Sequence, residues 1–162
     1  MLIAARSLRD LSLGRLMRVY EEDNLLRGRQ AWPDEPLPRQ LALAEAEAIE
    51  SLRSFFWVPD AVQYVWVEEE SYCSALRLES HGDGLLLTAL ATAPGFRGRG
   101  YATQLLQAVL QQQSRPVYSH IDRSNRPSIH LHGKCGFVKV SDTASLLDGS
   151  VTSRFGTYRY GE

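Results

Sequence analysis

Two apolar runs frame the segment Arg97-Gly98-Arg99-Gly100-Tyr101-Ala102: Leu85 to Ala93 before it, and a stretch with Tyr101, Leu105, Val109 and Leu110 at helical spacing after it. The first reads as a strand and the second as an amphipathic helix. A strand that passes through a glycine-rich turn into a helix leaves the first peptide N–H groups of that helix without acceptors, and the aligned peptide dipoles add partial positive charge. Such a mouth binds anions through backbone alone. Gly98 and Gly100 carry no Cβ to block approach, and Arg97 and Arg99 bring full charges to the rim. A phosphate-rich cofactor is the expected ligand.

Two familiar nucleotide loops do not fit. Gly95 and Gly100 have the glycine spacing of a P-loop, but Tyr101-Ala102 stand where that loop needs Lys and Ser or Thr. A dinucleotide fingerprint would need glycine at Thr103 and an acid about twenty residues on, where His120 stands.

A second pattern follows in Asn125, Ser128, His132, Gly136 and Phe137. The pair resembles the GNAT superfamily of acyl-CoA-dependent N-acyltransferases. The family's pyrophosphate loop reads Arg/Gln-x-x-Gly-x-Gly/Ala, filled here by Arg97, Gly100 and Ala102. Its second motif reads Asn-x-x-Ala/Ser, then Tyr four residues later, then Gly-Phe. One position departs, since His132 replaces Tyr. The resemblance spans Leu85 to Phe137, and the first eighty residues carry no matching motif.

The resemblance implies acetyl-CoA as acyl donor, with no metal, and an amine of a small molecule or peptide as acceptor. It also implies that the strand before the loop splays from the next strand. Pantetheine then pairs with the backbone of Leu90, Ala91 and Thr92, while Arg97, Gly98, Arg99, Gly100, Tyr101, Ala102 and Thr103 surround the pyrophosphate. The Leu90 N–H would meet the oxyanion. Asn125 and Ser128 would contact the cofactor, and Asn125 reads equally as a helix cap. His132 takes the place of the Tyr that protonates the coenzyme A sulfur; imidazole can fill that role, or pack on pantetheine without proton transfer. Some family members place a Glu five residues before the Asn, which makes His120 a candidate base. Alternation along Val117 to Ile121 puts His120 on one face with Tyr118 and Asp122. Glu68, Glu69, Glu70 and Glu79 are the other candidates. A non-catalytic acyl-CoA-binding or sensing module on the same fold is the second functional reading.

Composition narrows the partners. A formal net charge of −1 over 162 residues argues against an unspecific nucleic-acid binder, which needs a broad basic surface. Arg97, Arg99, Arg123, Arg126 and Lys134 instead cluster in sequence around the proposed phosphate site. The chain has two cysteines, Cys73 and Cys135, and no apolar run long enough for a membrane span, so a cytoplasmic protein is expected. His120, Asp122, His130 and His132 invite a metal reading, but residues two apart on a helix point in different directions.

The remaining elements read as one domain over residues 1–162. Met1 to Ser7 is a strand, and Asp10 caps a helix with apolar face Leu13, Leu16, Met17 and Tyr20. A polar connection, Asn24 to Leu37, leads to a helix opened by Leu37-Pro38 and ended by Pro59. Strands Val62 to Glu68, Cys73 to Glu79 and Leu85 to Ala93 form a meander. A strand at Val117 to Ile121 precedes the second motif, and Phe137 to Leu146 pairs with Val151 to Tyr160. With the family order β-α-α-β-β-β-α-β-α-β-β, the expected fold is α/β (α+β), a mixed and mostly antiparallel sheet flanked by helices. The polar connection, with Arg27, Arg29, Trp32, Asp34 and Glu35, and the last hairpin would wall the acceptor side. A homodimer is compatible with such a chain.

Overall fold

A computed structural model describes residues 1–146 and 148–162. Its frame is a seven-stranded sheet in the order β1-β2-β3-β4-β5-β9-β6, formed by β1 (Leu2–Ala5), β2 (Val62–Glu68), β3 (Ser71–His81), β4 (Gly84–Thr92), β5 (Val117–Asp122), β6 (Val138–Ser141) and β9 (Phe155–Tyr160). Every pairing is antiparallel except β4 with β5. Strands β2 and β3 are joined through Glu69 and Glu70, both at positive φ, the geometry that matches strand twist in a two-residue hairpin.

Helices cover both faces. On one, α4 (Tyr101–Leu110) presses Leu105, Leu106, Val109 and Leu110 onto Tyr64, Leu76, Leu78, Leu87 and Val117, and α5 (Arg126–Lys134) adds Leu131 to the same cluster. On the other, α1 (Leu13–Val19) and α3 (Leu37–Phe55) bury Leu16, Met17, Leu52 and Phe55 against Val65, Val67 and Ala75. The apolar side chains of β2 and β3 therefore divide between two cores, as expected of a central pair covered on both faces.

Three elements differ from the sequence expectation. A further helix, α2 (Glu21–Ala31), occupies the start of the predicted polar connection. Its buried residues are Asn24 and Gly28, so it lacks the apolar stripe by which a helix announces itself. It is held instead by backbone closeness: a Cβ on Gly28 would stand 2.6 Å from the Gln40 carbonyl oxygen of α3. Arg27 adds a two-pronged contact to Glu47, at 2.8 Å through each nitrogen. Helix α1 begins after Ser12, whereas the Asp10 carboxylate accepts the Arg6 and Ser7 N–H groups of the preceding turn. The closing hairpin is interrupted: β6 ends at Ser141, and a separate ribbon of β7 (Ala144–Ser145) and β8 (Val151–Thr152) precedes β9. No helix among the described residues is long and apolar enough to cross a membrane.

Candidate active site

Strands β4 and β5 pair only at Leu85–Val117, Leu86–Tyr118 and Leu87–Ser119. Beyond Leu87, β4 follows β3 to Thr92 while β5 follows β9 to Asp122, so the two part toward their C-terminal ends. Ligands of open α/β sheets settle where neighbouring strands diverge in this way. A cleft of about 400 Å³ opens there.

The cleft brings together Leu90, Ala91 and Thr92 from β4, Arg97, Gly98, Gly100, Tyr101, Ala102 and Thr103 from the loop and start of α4, and Asn125 and Ser128 from α5. Gly98 and Gly100 have φ of +71° and +80°, a region that L side chains rarely adopt, and Gly100 is the residue before the first turn of α4. The first helical bond runs from the Gln104 N–H to the Gly100 carbonyl at 3.0 Å, so the N–H groups of Tyr101, Ala102 and Thr103 have no acceptor within the helix. Asn125 caps α5 by accepting the Ser128 N–H at 3.2 Å and lines the cleft at the same time. Arg99 lies outside the lining; its guanidinium is stacked over Phe96 at 5.5 Å.

Val19, Glu22, Asp23, Phe96, Pro127 and Leu131 complete the lining, and the sequence reading did not single them out. Glu22 and Asp23 belong to α2, the helix without an apolar signal. The Arg97 guanidinium is bonded to Glu22 Oε2 at 2.6 Å. Partial desolvation, together with the negative charge of Glu22, raises the Asp23 carboxyl above the usual range.

The two candidate histidines lie away from this lining. His132 is 2 % exposed, packed edge-on to Phe137 at 4.8 Å. Its Nδ1 stands 2.8 Å from the Ser128 carbonyl oxygen. A carbonyl only accepts, so Nδ1 carries the proton, and Nε2 is a buried lone pair with no partner among the described residues. Burial lowers the His132 pKa, favouring the neutral ring. His130, two residues earlier, is exposed.

His120 is on the opposite face of the sheet, beside a second, shallower recess of about 270 Å³ lined also by His81, Tyr118 and Thr157. It shares its face with Tyr118 and Asp122, while Ser119 and Ile121 are buried on the other. Partial burial, and secondarily the neighbouring His81 ring at 5.6 Å, lowers its pKa. Asp122 is held down to about 2 by Ser124 and Arg154, which removes it as a proton acceptor near neutrality. Of the acidic candidates, Glu68 accepts the Trp66 indole N–H at 2.9 Å, and Glu69 and Glu70 form the exposed hairpin turn. Glu79 is half-buried, with its carboxyl raised by that burial. Among the described residues no three His, Cys, Asp or Glu side chains converge as a metal site. Cys135 is buried at the end of α5, and burial pushes its thiol up, away from nucleophilic thiolate chemistry.

Comparison with known proteins bears on the family and the fold. The model of the acetyltransferase (GNAT) family matches residues 16–137, a span that runs from within α1 to Phe137 and includes every cleft residue named above. The fold is similar to the PaiA N-acetyltransferase of Thermoplasma acidophilum in complex with coenzyme A, at 12% identity and a TM-score of 0.64 over 98% of each chain. It is similar also to an N-acetyltransferase of Staphylococcus aureus Mu50, at 17% identity and 0.58 over 99% of this chain and 98% of that one. The ribosomal-protein-S18-alanine N-acetyltransferase of Escherichia coli superposes with 0.56 at 14% identity, over 98% and 91% of the two chains. At such identities these structures establish the fold alone. No curated protein matches the sequence.

Proposed function

The chain belongs to the GNAT family of acetyltransferases, and on that footing we propose that it transfers an acetyl group from acetyl-CoA to a primary amine of a small molecule or peptide. The observation that carries the donor half is the joining of the β4–β5 gap to the left-handed glycines at the mouth of α4. Pantetheine fits the gap, where Leu90, Ala91 and Thr92 present backbone to it. The diphosphate fits the unpaired N–H groups of Tyr101, Ala102 and Thr103, with the Arg97 guanidinium at the rim. Asn125 and Ser128 face the same ligand from α5. The neighbour solved with coenzyme A supports this choice of cofactor.

In the reaction the neutral amine attacks the thioester carbonyl, a C–N bond forms, the C–S bond breaks, and the amine proton and the thiolate must both be accommodated. The Leu90 N–H is assigned to the developing oxyanion. His120, with a lowered pKa, is neutral at pH 7 and can accept the amine proton through water from the acceptor side of the sheet. His132 stands at the position of the family's acid. With Nδ1–H committed to the Ser128 carbonyl, its Nε2 delivers a proton only after the ring becomes imidazolium, which burial opposes. Its route to the sulfur is therefore confined to the acid side of neutrality.

That same orphaned lone pair favours a second reading, an acyl-CoA-binding module without turnover. Release of free coenzyme A thiol across a panel of polyamines, amino acids, aminoglycosides and peptide N-termini separates the two. Acceptor-dependent thiol release is the expected result, and tight coenzyme A binding with no release from any amine would overturn transfer.

A further inference from the structure

Strands β3 and β4 keep register from His81–Gly84 to Arg77–Thr88 and again at Ala75–Ala91 and Ser74–Thr92. Between these stretches one residue of β3, Leu76, faces two of β4, Ala89 and Leu90, and Ala89 takes a φ of +52°. This is a β-bulge, which withdraws residues from the ladder and re-aims the strand. Two buried side chains serve the backbone at that point. Gln63 Nε2 donates to the Leu76 carbonyl at 2.9 Å, and the Tyr20 hydroxyl donates to the Ala89 carbonyl at 2.8 Å. Gln63 Nε2 also reaches the Tyr20 oxygen at 3.2 Å, and Gln63 Oε1 accepts Arg77 Nε at 2.9 Å. The Arg77 guanidinium lies over the Tyr20 ring at 5.8 Å.

The Ala89 carbonyl and the Leu90 N–H are the two ends of one planar trans peptide and point opposite ways. With its oxygen drawn to Tyr20 beside α1, this unit turns its N–H away from that side, toward the cleft that Leu90 lines. A hydrogen bond accepted at the oxygen also polarises the amide and strengthens its N–H as a donor. Phenylalanine would fill the same apolar space, so the hydroxyl answers a need that packing does not create.

We propose that Tyr20 is a positioning residue for acyl transfer: its hydroxyl fixes and polarises the Ala89–Leu90 peptide so that the Leu90 N–H stands ready for the thioester oxygen. The inference rests on the assignment of the Leu90 N–H as oxyanion donor. Burial pushes the Tyr20 phenol up to about 12, so the hydroxyl keeps its proton throughout the pH range of such a reaction.

Isotope-edited infrared difference spectra of acetyl-CoA carrying ¹³C at the thioester carbonyl test it, since they require no acceptor amine. Bound to the native protein, the carbonyl stretch should fall below its value in water. In Tyr20→Phe at least half of that fall should disappear while coenzyme A affinity stays within about twofold. With an acceptor, kcat should drop about tenfold at unchanged KM for acetyl-CoA, less than the loss on removing a donor outright. Site-specific replacement of Tyr20 by 3-fluorotyrosine, a stronger O–H donor, should enlarge the fall. An unaltered stretch in both variants overturns the proposal, as does a Tyr20→Phe protein whose coenzyme A affinity falls as far as its kcat. No fall in the native protein, with coenzyme A still bound, would instead remove the Leu90 assignment and the role of Tyr20 with it.

Discussion

Arg97 Nη2 lies 2.6 Å from Glu22 Oε2, so the guanidinium at the rim of the cleft already holds a counterion from α2. An incoming diphosphate competes with that carboxylate. Both side chains are about half exposed, and pairs of this kind contribute about 0–1 kcal/mol. Glu22→Gln should therefore tighten coenzyme A binding by up to about fivefold at low ionic strength, with the gain fading as salt screens the charges. Titration calorimetry at two salt concentrations reads this, and weaker binding by the variant would make Glu22 part of the cofactor site.

Stability should fall on mild acidification. The pKa values of His120 and His132 are both lowered in the folded protein from 6.5, mainly by burial. The unfolded chain therefore takes up protons at a pH where the folded chain does not, and the stability these two neutral rings contribute is complete above 6.5 and lost as the pH drops toward their folded values. Denaturant midpoints measured from neutral to mildly acid pH should decline, and His132→Phe should flatten the decline. A midpoint insensitive to pH through that window would contradict the burial of both rings.

How much of this was readable beforehand depends on what each residue leaves in the sequence. Gly98 and Gly100 are visible because the left-handed backbone before α4 demands glycine, and Asn125 because a helix start rewards its side chain. The face of His120 follows from strand alternation, which the burial pattern of β5 repeats. Helix α2 left no such trace: it is tied to α3 through Gly28 and Gln40, a contact of backbone to backbone, and so nothing in the sequence singled out Glu22 and Asp23. Tyr20 was legible only as part of an apolar stripe. Its partner is a carbonyl exposed by a bulge at an alanine, and nothing in the residue type of Ala89 marks a positive φ.

The hydrogen-bond pattern of His132 turns its role into a question of pH. Because Nε2 carries a proton only in the imidazolium form, His132→Phe should cost about 10²-fold in kcat near pH 5.5 and progressively less toward pH 8, with acetyl-CoA affinity nearly unchanged. The comparison is of two full pH–kcat profiles. Coincident profiles would remove His132 from proton transfer, and a uniform loss at every pH would place it in the packing of α5 on Phe137 instead.

Two glycines separate damage to the cleft from damage to the fold. A Cβ at Gly100 would meet only Gln104 Nε2, at 4.0 Å, so valine there projects into open cleft, at a backbone cost of about 1–2 kcal/mol for the left-handed φ. A Cβ at Gly28 would instead collide with the Gln40 carbonyl at 2.6 Å, which the α2–α3 contact cannot absorb without moving apart. Gly100→Val should thus melt only a few degrees below the native protein yet lose about 100-fold or more in coenzyme A affinity, because the added methyls stand where the diphosphate meets the Tyr101 and Ala102 N–H groups. Gly28→Ala should melt lower still while the protein that remains folded keeps the bare N–H groups at the mouth of α4. Calorimetric Tm and coenzyme A titration on both variants give the crossed pattern, and a Gly100→Val protein that still binds coenzyme A tightly would show that the diphosphate lies elsewhere.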